Sequence, residues 1–264
     1  MNPSVLVLGG CGAVGSVVVK ELLQMTDASI VIGDHDFAKA KEYASSLKNE
    51  RVTAQFTQGE NENELIPLLK NFDLLADCTN IRHHYNILEA AIEAKVNYYC
   101  LTGSLYSDKL KLDAKAKKAG ITAILAIGSS PGLTNLLAKR AAYELDEVEE
   151  IQITFLPYRA ISFSPGLLDT FLHQFFEEEK ARCYYKNGEL IPVPPFSGER
   201  TIYLPEPYGP RKVYYMAHAE TTMLAKTIKG VKLIETRGAW PQEIMEAVKT
   251  FYEYNFFSKN QIQI

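Results

Sequence analysis

The sequence predicts an α/β fold: a doubly wound parallel sheet followed by a smaller α+β domain with a mixed sheet. Three observations predict it. An apolar run, Val5-Leu6-Val7-Leu8, enters a glycine turn from Gly9 to Gly15 and then a stretch of helical spacing from Ser16 to Leu23. Short apolar runs and helically spaced stretches go on alternating to about residue 145, the pattern of parallel strands joined by crossover helices. The alternation then stops, and an Asn187-Gly188 hairpin signal and a proline-rich loop take its place. The change in character sets two expected domains, 1–146 and 147–264.

In chain order, Val5 to Leu8 is the first strand and Ile30 to Ile32 the second, closing at Gly33-Asp34. Phe37, Ala40, Tyr43, Ala44 and Leu47 recur at helical spacing, and Val52 to Phe56 reads as a third strand. Glu62 to Leu69 reads as a helix, with Pro67 counting against its second half. A fourth strand, Asp73 to Cys78, leads into Thr79-Asn80. A helix from His83 to Ala94 follows, with Ile87, Ala90, Ala91 and Ala94 on its apolar face. Val96 to Leu101 is a fifth strand, Asp108 to Ala119 a helix closed by Gly120, and Ile121 to Ile127 a sixth strand. That strand ends in Gly128-Ser129-Ser130-Pro131-Gly132, and a helix runs from Leu133 to Leu145.

In the second domain, Glu149 to Leu156 is a strand and Gly166 to Lys180 a helix. Strands 181–186 and 189–193 flank the hairpin turn, and prolines between 192 and 210 make a loop. Strands 213–217 and 231–236 surround a short helix at 222–227. A last helix covers 241–251, with Pro241 in its first turn.

The glycine turn carries chemistry. Gly10, Gly12 and Gly15 form G-x-G-x-x-G between a strand and a helix, and Asp34 ends the next strand at the spacing of a dinucleotide-binding fingerprint. In that reading the sheet is of Rossmann type. Gly10 permits the tight turn, Gly12 lets a pyrophosphate approach the backbone, and Gly15 lets the helix pack on the strand. Ala13 and Val14 open the helix, whose N-terminal amides and partial positive charge suit phosphate. Asp34 would accept from both ribose hydroxyls and repel a 2′-phosphate. His35 follows it instead of Arg, so NAD is the expected cofactor, with NADP left open. Ligands of such sheets lie beyond the carboxyl ends of the strands, which adds Thr79, Asn80, Gly128, Ser130 and Gly132 to the cofactor candidates. The bland alternative is a structural glycine turn that binds nothing.

Composition excludes several classes. With 47% hydrophobic and 23% charged residues the chain is an ordinary globular protein, and its net charge of −4 offers no pull toward nucleic acid. Lys111, Lys115, Lys117 and Lys118 fit the wet face of a helix, without interleaved aromatics. No apolar run approaches the ~20 residues of a membrane span. Cysteines 11, 78, 100 and 183 contain no CxxC pair, and the five histidines no HxxxH pair, so no metal is expected. Free thiols point to a reducing, cytoplasmic setting.

Several blocks occur in order: the glycine turn, DCTN at 77–80, NYYCLTG at 97–103, SSPGLTN at 129–135, SFSPGLLDTF at 162–171, HAETT at 218–222 and TRGAWPQE at 236–243. Together they resemble the saccharopine dehydrogenase-like family, which includes lysine 6-dehydrogenases and carboxynorspermidine dehydrogenases. The resemblance covers most of the chain, and PGLTN is its most specific block. It implies a dinucleotide-binding domain followed by a substrate and dimerisation domain, and a homodimer formed through the second-domain sheet. It also implies NAD(P)-linked oxidation of an amine carbon, or reduction of an imine, in an amino-acid or polyamine-precursor substrate; lysine, saccharopine and carboxylated polyamines are the candidate class. Two features depart from the family pattern. Members often continue beyond a helix like 241–254, whereas this sequence stops at Ile264, and Trp240 stands where lysine-type members commonly show an RYPGH-like run.

Amine oxidation needs a neutral amine, hence a base of tuned pKa, and a cation for the substrate carboxylate. His218 at a strand end, with Glu220 two residues on to orient it, is the candidate base, and Arg237 the candidate cation. Cys100 at the end of the fifth strand is an acid–base candidate only if its pKa is tuned, and otherwise a small buried hydrophobe. The alternative function is a non-catalytic NAD(P)-binding regulator.

Overall fold

The computed structural model describes residues 2–157, 164–176 and 180–257. The chain forms two compact units, 1–128 and 129–264.

The first unit is a six-stranded parallel sheet in the order β3-β2-β1-β4-β5-β6. Its strands are β1 (Ser4–Leu8), β2 (Ser29–Asp34), β3 (Val52–Phe56), β4 (Leu74–Asp77), β5 (Asn97–Cys100) and β6 (Ala123–Ile124). The crossover helices are α1 (Gly15–Met25), α2 (Phe37–Ser46), α3 (Glu62–Leu69) and α4 (His84–Ala94), followed by α5 (Tyr106–Lys109) and α6 (Asp113–Ala119). Side chains alternate across a strand, so β1 serves two cores. Val5 and Val7 pack with Val19, Ala40 and Ala44 beneath α1 and α2, while Leu6 and Leu8 pack with Leu65, Ile87 and Leu88 beneath α3 and α4. Burial on both faces is why these strands read as continuous apolar runs. The order of strands reverses between β1 and β4, which makes their carboxyl ends the topological switch point.

Two expectations for this unit change in detail. The helix expected over 108–119 begins at Tyr106 and is interrupted by a 3₁₀ turn at Leu110–Leu112, which turns Leu112 into the core. The sixth strand pairs only at Ala123–Ile124, because Ala126 takes φ +59° and leaves the extended region.

The second unit holds a mixed sheet. Its strands are β7 (Glu150–Phe155), β8 (Cys183–Lys186), β9 (Glu189–Pro192), β10 (Arg200–Tyr203), β11 (Pro210–Tyr215) and β12 (Leu233–Gly238). β12 is central: β7 runs parallel to its whole length, whereas β8 and β11 pair antiparallel with its two ends. The expected hairpin at Asn187-Gly188 joins β8 and β9. β10 lies in the stretch expected to be loop; it pairs antiparallel with β11 from Arg200↔Val213 to Tyr203↔Pro210, and its flanking prolines hide it from a sequence reading. The helices are α7 (Leu133–Ala142), α8 (Pro165–His173), α9 (Glu220–Thr227) and α10 (Gln242–Glu253). Residues 158–163 and 177–179, which include the start of SFSPGLLDTF and the tail of the helix expected over 166–180, lie outside the described residues.

The division between units falls at 128/129, not at the expected 146/147. The reason is packing. Ala138 and Ala142 of α7 join the cluster of Ile151, Leu224, Ile228 and Ile234 in the second unit, so a helix expected to close the first domain belongs to the second.

Candidate dinucleotide cradle and acid–base cluster

The glycine turn sits where β1 delivers the chain to α1. A methyl group at Gly15 would stand 2.2 Å from the Gly9 carbonyl oxygen, and one at Gly10 would stand 2.7 Å from the Val7 carbonyl oxygen. Only glycine lets α1 and the turn approach this closely. At Gly12 the one neighbour within 4 Å is the Gly9 oxygen, at 3.1 Å, and the rest of the space is open. Among the described residues the amides of Ala13 and Val14 donate to no backbone carbonyl, and Ala13 is exposed. A glycine-lined opening with spare amides at a helix start fits a pyrophosphate. Gly9 is a fourth required glycine that the spacing rule does not single out. Its φ is +74°, and a Cβ there would lie 2.7 Å from the Cys78 carbonyl oxygen of the neighbouring strand end.

Asp34 ends β2 beside this turn and is 6% exposed. Its Oδ1 accepts the Asp36 amide at 3.1 Å and lies 3.0 Å from His35 Nδ1, and its Oδ2 accepts the Cys11 thiol at 2.9 Å. Asp36 caps α2 by accepting the Lys39 amide at 3.1 Å.

At the ends of β4 and β5 a buried polar network holds the next candidates. Asp77, fully buried, accepts the Thr79 amide at 3.1 Å, the Thr79 hydroxyl at 2.7 Å and the Tyr98 hydroxyl at 2.8 Å. Burial, with the Asp77 carboxylate beside it, holds Tyr98 protonated, well above the usual phenol range. His84 bridges the two strand ends: Nε2 lies 3.2 Å from the Thr79 carbonyl and Nδ1 lies 3.1 Å from the Thr102 hydroxyl. The carbonyl can only accept, so the proton is assigned to Nε2. Burial pushes the His84 pKa down against the opposing pull of Asp77, and the ring is neutral. Asn80 accepts the Arg82 amide at 3.1 Å through Oδ1 and so shapes the turn into α4. Cys100 has no exposed surface, and its sulfur lies 3.6 Å from the buried Lys109 ammonium. It occupies the core position anticipated as the alternative to an acid–base role.

Gly128 closes the first unit, and Ser130 and Gly132 open the second. Two of these cofactor candidates have protein partners. The Gly132 amide donates to the Asn135 side chain at 2.9 Å, capping α7, and the Ser130 hydroxyl donates to Glu220 Oε1. The same carboxylate oxygen accepts the Thr134 hydroxyl at 2.9 Å, and Ser130 Oγ lies 3.1 Å from His218 Nδ1. Gln174 Nε2 lies 3.3 Å from His218 Nε2. An amide nitrogen can only donate, which places the imidazole proton on Nδ1, facing Ser130. The donors then run in one direction, Gln174 to His218 to Ser130 to Glu220. Burial pushes the Glu220 carboxyl up, but His218 and the Ser130 hydroxyl outweigh it, and the net shift is downward. Glu220 is ionised, and among the described residues its Oε2 has no hydrogen-bond partner; it stands 3.6 Å from His218 Nδ1, beyond bonding distance. Gln174 Oε1 and Trp240 Nε1 are likewise buried without partners among the described residues. The Phe155 ring lies 5.6 Å from the His218 ring and 6.1 Å from the Trp240 ring.

His218 and Glu220 are thus brought together, with Ser130, Thr134 and Gln174 added by the fold. Arg237 is engaged elsewhere. Its guanidinium pairs with Glu235 through both terminal nitrogens, one contact being 2.9 Å, donates through Nε to the Gly198 carbonyl at 3.0 Å, and lies 4.2 Å from the Tyr215 ring centroid. With all three nitrogens used and the charge neutralised, Arg237 builds β12 and does not present a free cation for a substrate carboxylate. No group of His, Cys, Asp and Glu suited to a metal occurs among the described residues. No helix among them is long and apolar enough to cross a membrane.

The sheet order, the glycine cradle and the acid at the end of β2 define the first unit as a dinucleotide-binding domain. Residues 5–124 match the family described as saccharopine dehydrogenase NADP binding domain. Over more of the chain, the carboxyaminopropylagmatine dehydrogenase of Synechocystis is 25% identical, covering 84% of this chain and 59% of the relative. The carboxynorspermidine synthase of Vibrio cholerae is 27% identical, covering 85% of this chain and 60% of the relative. The chain therefore spans about three fifths of the length of these two relatives. In fold it is similar to the apo saccharopine dehydrogenase (L-Glu forming) of Saccharomyces cerevisiae, with a TM-score of 0.71 and 19% identity over 97% of this chain and 59% of that one.

Proposed function

We propose that this chain is an NAD(P)-dependent oxidoreductase acting on a carbon–nitrogen bond of an amino-acid or polyamine-precursor substrate. The observation that carries the reading is the Gly10–Gly15 turn, closed to any side chain at Gly10 and Gly15 and open at Gly12, with a buried carboxylate at the end of the adjacent strand. In this reading Gly12, Ala13 and Val14 receive the pyrophosphate, Asp34 the adenosine ribose, and Thr79, Asn80 and Gly128 border the remainder of the cofactor. Asp34 favours NAD, because a carboxylate repels a 2′-phosphate. When bound, the nicotinamide supplies the hydride acceptor or donor. The second unit supplies acid–base chemistry: His218 carries a proton on Nδ1 toward Ser130, and the ionised Glu220 stabilises an imidazolium when one forms. Ser130 takes a positioning part here. The relatives named as a carboxyaminopropylagmatine dehydrogenase and a carboxynorspermidine synthase support the substrate class. A homodimer through the second unit's sheet and a cytoplasmic location complete the reading.

Calorimetric titration with NADH and NADPH tests the cofactor site. Absorbance of the reduced cofactor, followed with lysine, saccharopine and carboxylated polyamines in the presence of NAD or NADP, tests the chemistry. Binding with turnover of one of these is the expected result. Binding without turnover of any would favour the regulator, and absence of binding in a folded protein would end the proposal.

A further inference from the structure

Cys11 fills the variable position between Gly10 and Gly12 and is 8% exposed. Its thiol donates to Asp34 Oδ2 at 2.9 Å and the Asp36 amide donates to Oδ1 at 3.1 Å, while the exposed His35 ring lies 3.0 Å from Oδ1 through Nδ1. Both oxygens of the ribose-facing carboxylate are therefore fixed by protein donors; Oδ2 keeps a lone pair for an incoming hydroxyl, and Oδ1 keeps one whenever the exposed His35 ring turns aside.

We infer that Cys11 is a specificity-determining residue: its thiol locks the Asp34 carboxylate in the orientation that accepts an adenosine 2′,3′-diol and rejects a 2′-phosphate. The inference rests on the dinucleotide reading given above. Without the thiol donor, Asp34 is held from one oxygen only. It can then turn about its side-chain torsions, and a 2′-phosphate no longer faces a carboxylate that is unable to withdraw. A thiol donates only while protonated. Burial first, and the Asp34 carboxylate second, push the Cys11 thiol up to about 12, so the lock persists over the physiological range.

The competing explanation is that Cys11 merely fills space, since it also packs with Val7, Val19 and Ile32. Three variants separate donation from packing: Cys11→Ser keeps a donor, Cys11→Val keeps bulk without one, and Cys11→Ala removes both. Affinities for NADH and NADPH would be measured by cofactor fluorescence, and those for 5′-AMP and 2′,5′-ADP by calorimetry. The two nucleotides confine the readout to the adenosine half and need no turnover. The expected result is that Val and Ala each lower the preference for the unphosphorylated ligand about tenfold, equivalent to ~1.4 kcal/mol, while Ser stays within about twofold of the parent. In an Asp34→Ser background, Cys11→Ala should produce no further change, because the thiol acts through that carboxylate. The inference is overturned if Val and Ala retain the parental ratio, if Ser shifts as far as Ala, if the effect survives in the Asp34→Ser background, or if the parent prefers NADPH. A parent that binds none of the four ligands would instead bring down the dinucleotide site itself.

Discussion

Two glycines three residues apart make opposite demands on a methyl group, and the contrast can be measured. At Gly15 the added Cβ would meet three backbone atoms, the Gly9 oxygen at 2.2 Å, Gly10 Cα at 2.8 Å and the Gly9 carbonyl carbon at 2.9 Å. Backbone cannot rotate aside as a side chain can, so α1 must withdraw from the turn by about 1 Å to restore an ordinary contact of ~3.5 Å. Overpacking of this kind costs roughly 1–3 kcal/mol, partly offset by the ~1 kcal/mol that Ala gains over Gly in a helix. Gly15→Ala should therefore lower stability by up to ~2 kcal/mol and also displace the α1 amides from the pyrophosphate. At Gly12 the methyl meets only the Gly9 oxygen, at 3.1 Å, a gap that a few tenths of an ångström relieves. Gly12→Ala should leave stability within ~0.5 kcal/mol of the parent, yet weaken NADH binding tenfold or more, because the methyl protrudes where the phosphates approach. Urea unfolding midpoints and fluorescence titration with NADH read the two quantities independently. Should Gly12→Ala bind NADH as tightly as the parent while Gly15→Ala unfolds at the parental midpoint, the cradle as described is wrong.

Other expectations follow from the buried charges. Arg237→Met leaves buried Glu235 with the Tyr215 hydroxyl and, at 3.7 Å, the half-exposed Arg200, and should cost up to about 3 kcal/mol in urea unfolding; a normal midpoint with a raised KM would instead mark Arg237 as a substrate ligand. The folded-state pKa of His84 is depressed below the ordinary 6.5, so the unfolded chain takes up the proton first and stability falls as pH drops below about 6.5. His84→Gln should flatten that part of the stability–pH curve. Glu220 is depressed below the ordinary 4.5, so its contribution is complete above that value and is lost as pH falls through the lower, folded-state value. Glu220→Gln should abolish that acid limb and, on the proposed mechanism, reduce kcat with little change in affinity for NADH.

Much of the first unit was legible because its signals are local. Apolar runs report strands buried on both faces, and glycines report places where backbone meets backbone. Pro67 counts against the second half of its helix, yet α3 runs to Leu69 with Pro67 inside it, since Leu65 and Leu69, both fully buried, anchor it in the core. β10 carries no strand signal of its own, because prolines flank it; pairing with β11 makes it a strand. The pairing of His218 with Glu220 could be read from their spacing. Their joining to Ser130 and Gln174, far away in sequence, could not.

By itself the sequence determined the doubly wound first unit, the positions of Gly10, Gly12, Gly15 and Asp34, and the hairpin at Asn187-Gly188, since each depends on backbone conformation or periodicity within a few residues. Only the tertiary structure decided that α7 belongs to the second unit, that Arg237 is spent on Glu235, that Cys11 holds Asp34, and that Ser130 serves Glu220. Those outcomes depend on which side chains meet after distant segments pack together, and the free energy of such contacts is fixed by burial and geometry that no local pattern encodes.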